Sequence, residues 1–209
     1  MAKPLPTVLR THLSALRMLL VMTVLLGIAY PLLVTGAGQA AFHHQANGSL
    51  VQVDGRTVGS SLLGQSFDLP KKNPDNADEQ ARPDPKWFQP RPSAGGYDPT
   101  ASGASNLGPN SADLVKTIQQ RRAAVAAFDG VAPSRVPADA VTASGSGLDP
   151  DISPAYAREQ VTRVAKARGL DRDAVARLVE AHVQDPVLGF LGDARVNVLE
   201  LNKALSTLR

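Results

Sequence analysis

The stretch MLLVMTVLLGIAYPLLV, residues 18–34, decides the architecture of this chain. Thr23 is its only clearly polar residue, and no charged residue follows Arg17 until Asp54. As a helix, residues 18–42 would be roughly 37 Å long, enough to cross a hydrocarbon core of about 30 Å with some tilt. The sequence therefore predicts a single transmembrane helix near the N-terminus.

The cationic residues around this helix predict its orientation. Lys3, Arg10 and Arg17 precede it, and the next cationic residue is Arg56. Because cytoplasmic flanks carry the excess of lysine and arginine, we expect the N-terminus to be cytoplasmic and the rest of the chain to be exported. The predicted organisation is a cytoplasmic tail, a membrane helix and an exported soluble domain, at residues 1–12, 13–42 and 43–209.

A cleaved signal peptide is the alternative interpretation of the apolar segment. Gly38, Gln39 and Ala40 offer small residues where a peptidase could cut. The apolar stretch, however, exceeds the roughly 7–15 residues of a signal peptide's apolar region. The length favours a retained helix.

Three residues predict that the helix contacts a partner in the membrane. Pro31 should bend it, which a helix packed among neighbours tolerates, and Gly27 and Gly36 allow close backbone approach. We therefore expect these three residues to lie at a subunit interface within the lipid bilayer.

Charge and composition exclude several classes of function. The chain has 22 lysine and arginine residues against 19 aspartate and glutamate residues, and the three cations before the helix account for the formal charge of +3. A formally neutral exported domain with few aromatic residues lacks the basic surface that nucleic acid requires. The chain has no cysteine, which excludes thiol catalysis and cysteine-ligated metals. The His43-His44 pair is expected to be solvated, and we predict no metal site.

Periodicity predicts an α+β fold for the exported domain, with a small antiparallel sheet and about four helices. Two β-forming runs flank the Asp54-Gly55 turn, which is typical of a hairpin, and residues 64–67 are expected to continue the sheet. Helical spacing and capping residues predict the helices. They span 111–128, 154–168, a segment beginning after Asp171, and a C-terminal segment containing Leu201 and Leu205.

Residues 68–85 are predicted to be a flexible, dispensable insertion. This segment and its flanks combine many prolines with dense charge and few apolar residues, so it cannot bury enough apolar surface to order itself. Trp87 and Phe88 follow directly, and we expect these rings to fix the returning chain to the core.

Two loops rich in glycine and serine, 102–110 and 142–153, are the candidate functional segments of the domain. Each runs into a helix N-terminus, where backbone N–H groups could hold an anion. Neither loop has the lysine or the glycine spacing of a nucleotide-binding motif, so packing is the favoured interpretation. Side chains of Asn106 and Asp149 are suited to accepting local N–H groups.

A serine hydrolase is the other enzymatic alternative for the second loop. Ser144, Ser146, Asp149 and His182 supply the residue types of a catalytic triad. The glycine spacing of a nucleophile elbow is missing, and His182 falls on a predicted apolar helix face. We therefore expect no catalytic residue.

Several segments together resemble one family, the C subunit of the Kdp high-affinity potassium-transporting P-type ATPase. They include YPLLVTG at 30–36, RPSA at 91–94, VTASGSGLDP at 141–150 and RVNVL at 195–199. Further segments that resemble the family are 59–65, 102–110, 152–154, 160–170 and 201–202. The resemblance departs from the family pattern at Ala104, at Asp151 and in the insertion.

The resemblance implies a non-catalytic subunit of a potassium-transport pump in the bacterial plasma membrane. Its implied partners are a channel-like potassium-binding subunit, a P-type ATPase subunit and a small single-helix subunit. The family is described as a catalytic chaperone that raises the ATP affinity of the ATPase subunit, so ATP binding is implied by resemblance alone, and we expect no firmly bound cofactor.

Two other roles stay open at this point. An exported domain cannot reach cytoplasmic ATP, so control of the external potassium entrance is the physically simpler role. A membrane-anchored extracellular binding module without a pump is the alternative from another class. Residues assigned to a subunit interface or to structural loops are Gly27, Pro31, Gly36, Ser102, Asn106, Gly108, Ser144, Gly145, Ser146, Gly147 and Asp149.

Overall fold

The computed structural model describes residues 6–73, 76 and 79–208. Parts of the predicted tail (1–5) and of the predicted insertion (74–75 and 77–78), together with Arg209, lie outside the described residues. The chain divides into two compact units, residues 1–49 and 50–209.

The first unit is one long apolar helix followed by a short one. Helix α1, Thr7–Val24, continues through a π-helical segment, Leu25–Ala29, into α2, Tyr30–Ala41, and α3 spans His43–Ala46. The 35 residues from Thr7 to Ala41 are long and apolar enough to cross a membrane. The helix begins at Thr7, inside the predicted tail. Pro6 directly precedes it with extended backbone, at a ψ of 142°.

Pro31 lies two residues after the last residue of the π-helical segment, Ala29. Proline has no N–H, and its ring would clash with the carbonyl four residues earlier, which is that of Gly27. A π-turn widens the helix at this point and relieves the clash, so the helix passes Pro31 without ending. Gly27 lies inside the widened turn, and a Cβ at Gly36 would meet no atom within 4 Å.

The predicted hairpin opens the second unit. Strand β1, Leu50–Val53, pairs antiparallel with β2, Arg56–Ser60, with Val53 opposite Arg56. Asp54 and Gly55 have φ of 49° and 75°, as a two-residue type I′ turn requires. The hairpin forms a two-stranded sheet of its own, so the expected extension by residues 64–67 is wrong.

The predicted helices are present, and each begins with a capping side chain. They are α4, Ala112–Asp129; α5, Pro154–Arg168; α6, Arg172–Ala181; and α7, Val198–Thr207. The side chains of Ser111, Ser153, Asp171 and Asn197 accept hydrogen bonds from backbone N–H groups in the first turns. Helix α5 ends at Gly169, whose left-handed φ of 66° lets the chain turn at once into α6. Short 3₁₀-helices at Pro133–Arg135 and Ala138–Ala140 follow α4.

A second antiparallel sheet joins segments that the sequence does not mark as strands. Its strands are β3, Asp151–Ile152; β4, Val183–Gln184; and β5, Arg195–Asn197, in the order β3-β5-β4. Strands of two or three residues are too short to show alternation, and pairing rather than pattern defines them. The predicted α+β class is confirmed.

Helix α5 lies at the centre of the hydrophobic core. Its buried face includes Val161 and Val164, which pack in one cluster with Val175, Val196 and Leu201. Trp87 and Phe88 join this cluster as predicted, and Phe88 is completely buried.

A short ladder closes the base of the insertion. Asp68 pairs with Pro83, Leu69 N–H donates to Arg82 O at 2.8 Å, and Asp84 N–H donates to Phe67 O at 3.0 Å. The two ends of the insertion are therefore held side by side.

Candidate subunit-interface and loop site

The two predicted glycine-serine loops meet in the second unit. Gly103 N–H donates to Ser146 O at 2.8 Å, and Ser102 Oγ donates to the same carbonyl at 3.1 Å. Ser93 Oγ donates to Gly147 O at 2.7 Å. We call residues 91–103 and 144–151 the serine–glycine cluster. One backbone hydrogen bond and two bonds from serine hydroxyls to backbone carbonyls hold its two segments together.

Gly147 is the tightest point of this cluster. Its φ is 69°, and a Cβ at this position would lie 2.7 Å from Gly103 O. A side chain would therefore be excluded both by backbone strain and by the neighbouring segment. Gly145, two residues earlier, has neither constraint: its φ is not in the left-handed region and the space beside it is open.

An ion pair fixes the position of Asp149 in the cluster. Arg91 Nη1 lies 2.8 Å from Asp149 Oδ2, and both side chains are about one quarter exposed, 26% and 28%. Asp149 Oδ1 accepts from Asp151 N–H at 3.0 Å, so the predicted local hydrogen bond is present. Tyr97 donates its hydroxyl to Arg91 O, and burial raises the pKa of this tyrosine. The Asp149 carboxylate therefore links the segment that contains Arg91 to the first residue of β3.

A neighbouring cavity of about 330 Å³ is lined by four aspartates, and Asp139, Asp149 and Asp151 each have a partner within the chain. Asp139 accepts from both the backbone N–H and the hydroxyl of Ser153. Asp151 lies 3.0 Å from Arg195, and burial raises its pKa. These two carboxylates therefore hold the capping residue of α5, Ser153, and balance the charge of Arg195.

Two amides of the second loop donate to acceptors within the same loop. Leu148 N–H donates to Ser146 Oγ, and Gly147 N–H donates to Ser144 O. The N-terminus of α5 is capped by Ser153 and faces the Asp139 carboxylate, which would repel an anion. These contacts pack the second loop against itself and against the start of α5.

Three of the predicted loop residues have local roles or lie outside the cluster. Asn106 is exposed with a φ of 54°, and within the described ranges its side chain makes no hydrogen bond, so the predicted bond to local N–H groups is absent there. Gly108 O accepts from Ser111 N–H at the start of α4. Ser144 is buried, with its hydroxyl 3.5 Å from Ser146 Oγ.

The residue types of a catalytic triad are not assembled. His182 Nδ1 lies 2.8 Å from Leu178 O, at the end of α6 rather than within its apolar face. It lines a cavity with Asn197, whereas Ser144 lines a different one with Asp149. This geometry gives no serine nucleophile with a base.

Two buried amides that the sequence analysis missed hold the segment after the insertion. Asn202 accepts from Phe88 N–H and donates to Phe88 O, both at 2.9 Å. Gln160 accepts from Gln89 N–H at 2.6 Å and donates to Gln89 O at 3.1 Å. Each side chain pairs with the backbone as a neighbouring strand would. Asn202 lies on the buried face of α7 with Leu201 and Leu205. A polar residue on an apolar helix face is the sequence signal that could have indicated a buried hydrogen-bonding amide.

Arg163 is a second missed residue, and it links four parts of the unit. Its guanidinium lies 2.5 Å from Asp129 Oδ1 and 4.3 Å from the Phe128 ring centroid. It also donates to the carbonyls of Pro85 and Trp87 at 2.7 and 2.9 Å. The cation thus holds the end of the insertion against α4 and α5.

A carboxyl pair lies beside Arg163. Asp129 Oδ2 and Glu159 Oε1 are buried and, among the described residues, have no hydrogen-bond partner. Burial raises the pKa of Asp129, while Arg163 opposes the shift. Burial and the charge of Asp129 raise the pKa of Glu159 to about 7. Because ionised carboxylates only accept hydrogen bonds, a single proton between the two groups would satisfy both orphaned oxygens.

Comparison with known proteins assigns the chain to a family. A sequence profile described as "KdpC: K+-transporting ATPase, c chain" matches residues 12–207. A Potassium-transporting ATPase KdpC subunit from Kineococcus radiotolerans is 54% identical over 207 residues, which cover 98% of this chain and 97% of the relative. Proteins of the same name from Streptomyces avermitilis and Cereibacter sphaeroides are 49% identical over 208 residues and 50% identical over 196 residues. These alignments cover 93% of this chain in both cases, and 92% and 96% of the relatives. This chain therefore belongs to the KdpC family, the C subunits of the potassium-transporting ATPase.

Proposed function

We propose that this accessory subunit is non-catalytic and that it assembles and stabilises the potassium pump from the external side of the membrane. The observation that carries the proposal is the self-sufficiency of the serine–glycine cluster. Its two segments are joined within the chain by the hydrogen bond from Gly103 N–H to Ser146 O, by the close approach of Gly147 to Gly103 and by the Arg91–Asp149 pair. Such a cluster builds a rigid surface for docking rather than a site for chemistry.

The sequence supports the non-catalytic role independently. The chain contains no Asp-Lys-Thr phosphorylation motif, and no lysine lies in either segment of the cluster. Without a lysine on the phosphates, the cluster would offer a nucleotide only Arg91, serine hydroxyls and backbone groups, and Arg91 is already paired with Asp149. ATP hydrolysis is therefore assigned to another subunit of the pump.

The apolar helix supplies the anchor in this proposal. None of its residues between Thr7 and Ala41 is buried within the chain, so its surface is available to lipid and to other membrane helices. Gly27, Pro31 and Gly36 are proposed to face a membrane partner of the pump. The N-terminus is proposed to be cytoplasmic and residues 50–209 external, as the distribution of cations favours.

The chaperone role follows from docking in this scheme. A domain outside the membrane can raise the ATP affinity of a cytoplasmic site only by binding better to the pump conformation that binds ATP tightly. We propose this indirect coupling in place of direct contact with ATP. The proposed partners are the channel-like potassium-binding subunit, the ATPase subunit and the small single-helix subunit.

One experiment tests assembly and coupling together. The tagged full-length chain is expressed with its partner subunits, purified in mild detergent, and compared with a chimera in which an unrelated apolar span replaces residues 18–42. We expect the chimera to recover less of the pump and to leave the ATPase with a higher half-saturating ATP concentration. Equal recovery of the pump by both proteins would contradict the interface role of the helix.

Calorimetry on the full-length chain alone tests the absence of an ATP site. We expect no saturable heat with magnesium and ATP. Micromolar binding that requires magnesium, and that a cluster variant abolishes without unfolding the chain, would contradict the indirect mechanism.

A further inference from the structure

The loop between β4 and β5 ends in an ordered apolar tip, residues 187–191. Val187 N–H donates to Leu191 O at 3.0 Å, and Leu191 N–H donates to Val187 O at 2.9 Å. Gly189 N–H donates to Pro186 O at 2.9 Å. Leu188 and Gly189 have φ of 56° and 80°, so the tip turns sharply through left-handed backbone. Three hydrogen bonds therefore hold the tip in one conformation.

The side chains of this tip are unusually exposed. Leu188 and Phe190 are 79% and 73% exposed, more than any other exposed large hydrophobic residue in the described part of the chain, including those of the membrane helix. Val187 and Leu191 are 56% and 50% exposed. Single exposed apolar residues are common on protein surfaces, but four within five positions form a patch that marks an interaction site.

The base of the tip is firmly attached to the core. Strand β5 follows it, and Val196 in that strand is completely buried. A left-handed conformation at a leucine is strained, and strain of this kind is retained where a surrounding structure enforces it. The tip is therefore presented to solvent on a rigid support.

Charge at the base distinguishes between two surfaces that the tip could enter. Asp185 and Asp193 flank it and are exposed, and residues 185–193 contain no lysine or arginine. Anionic lipid surfaces attract segments flanked by cations, so two carboxylates at the base disfavour insertion into a membrane. They favour a protein pocket with a cationic rim.

We infer that residues 187–191 are a docking tip, with Leu188 and Phe190 entering an apolar pocket that is rimmed by lysine or arginine on the external face of a partner subunit of the pump. The inference rests on the proposed function, because it needs a partner with an external surface. It adds the place of contact and the chemistry of the surface that receives it. Neighbouring apolar anchors of this kind dominate the affinity of protein interfaces.

The test uses the full-length chain with its partner subunits. A double variant, Leu188→Ser with Phe190→Ser, should recover at least tenfold less partner in detergent pull-down, while its thermal unfolding midpoint stays that of the parent chain. Val115→Ser is the matched control, because Val115 is 47% exposed on α4, away from the tip. Asp185→Lys with Asp193→Lys should also weaken recovery, most strongly at low salt.

Outcomes separate this inference from the proposed function. If the parent chain recovers the pump and the double variant recovers it equally, the docking tip is wrong and the assembly role stands. If the parent chain recovers no pump subunit, the proposed function fails, and the inference fails with it. A photoreactive phenylalanine analogue at position 190 should form an adduct with a pump subunit identified by mass spectrometry. Adducts with lipid alone would overturn the inference.

Discussion

Arg163 Nε lies 2.5 Å from Asp129 Oδ1, in an ion pair whose side chains are only 6% and 1% exposed. The same guanidinium satisfies the carbonyls of Pro85 and Trp87 and the Gln160 amide oxygen. A buried charge is tolerated only when it is paired and hydrogen-bonded. Here one buried arginine makes an ion pair and donates hydrogen bonds to three further oxygen atoms. The pair therefore determines how the chain that leaves the insertion is held against α4 and α5.

Replacing this arginine should be strongly destabilising. Arg163→Met leaves the Asp129 carboxylate and two carbonyls without their donor, and breaking a buried pair typically costs about 3–5 kcal/mol. Denaturant unfolding followed by fluorescence of Trp87, the only tryptophan, measures the loss. Arg158→Met is the matched control: its partner Glu180 is exposed, so the expected cost is below about 1 kcal/mol. Equal costs for both variants would contradict the role of burial.

The carboxyl pair beside Arg163 predicts a pH dependence. The pKa of Glu159 is raised from 4.5 to about 7, so between these pH values the folded chain binds a proton that the unfolded chain has released. The free energy of unfolding should therefore fall as the pH rises from 4.5 to 7 and level off above it. Because Glu159 is half-buried, we expect a change on the order of 1 kcal/mol after allowance for solvent screening.

Substitution identifies the source of this slope. Glu159→Gln removes the titrating group and should flatten the decrease between pH 4.5 and 7. Glu180→Gln is the control, because the Arg158 hydrogen bond lowers the pKa of Glu180 and places its titration below this range. The surrounding charged groups are Asp129, Arg135 and Asp139. A decrease of the same size in Glu159→Gln would assign the slope to another buried carboxyl group such as Asp129, whose pKa burial also raises.

Two glycines of one loop should differ sharply in their tolerance of substitution. Gly147→Val forces a β-branched residue to a φ of 69° with its Cβ 2.7 Å from Gly103 O, so it should cost at least 1–3 kcal/mol by the usual range for strained backbone. Gly145→Ala meets open space and should change the free energy of unfolding by less than about 0.5 kcal/mol. Unfolding of the two variants side by side provides the measurement. A neutral Gly147→Val would mean that the cluster is not packed as described.

Local signals in the sequence predicted the elements that depend on local physics. Asn110 or Ser111, Ser153 and Asp171 are the capping residues that local pattern predicts, and Ser111, Ser153 and Asp171 cap their helices, because a capping side chain acts within its own first turn. The Asp54-Gly55 turn is also predictable from local sequence, because aspartate and glycine themselves favour the left-handed backbone that the turn requires.

What the sequence did not predict depends on distant pairing. Strand β5 is a strand because segments more than ten residues away pair with it on both sides, and three residues carry no periodic signal of this. Gln160 and Asn202 pair with a backbone segment that lies 71 and 114 residues away. The pattern of a single sequence indicates which residues are buried, but it does not indicate which distant backbone groups they hydrogen-bond.

The insertion should tolerate shortening as far as its closing ladder. Replacing residues 71–81 by a short glycine-asparagine link keeps the hydrogen bond between Leu69 and Arg82 and should leave thermal stability nearly unchanged. Deletion of residues 68–85 would also remove the Pro85 carbonyl that Arg163 occupies, and it should lower the unfolding midpoint. If the shorter deletion unfolds the domain, the insertion is structural rather than dispensable.

The orientation of the chain can be measured because it has no cysteine of its own. Thr57→Cys places a thiol on an exposed position of β2, and Thr7→Cys places one at the start of α1. If Lys3, Arg10 and Arg17 hold the N-terminus in the cytoplasm, a membrane-impermeant thiol reagent should label the first variant in intact cells and the second only after lysis. The size of the labelled band also tests retention of the helix. A soluble labelled form lacking residues 1–40 would contradict retention of the helix as a membrane anchor. The reverse labelling pattern would contradict the proposed external position of the domain and, with it, the indirect route by which this subunit is proposed to affect ATP binding.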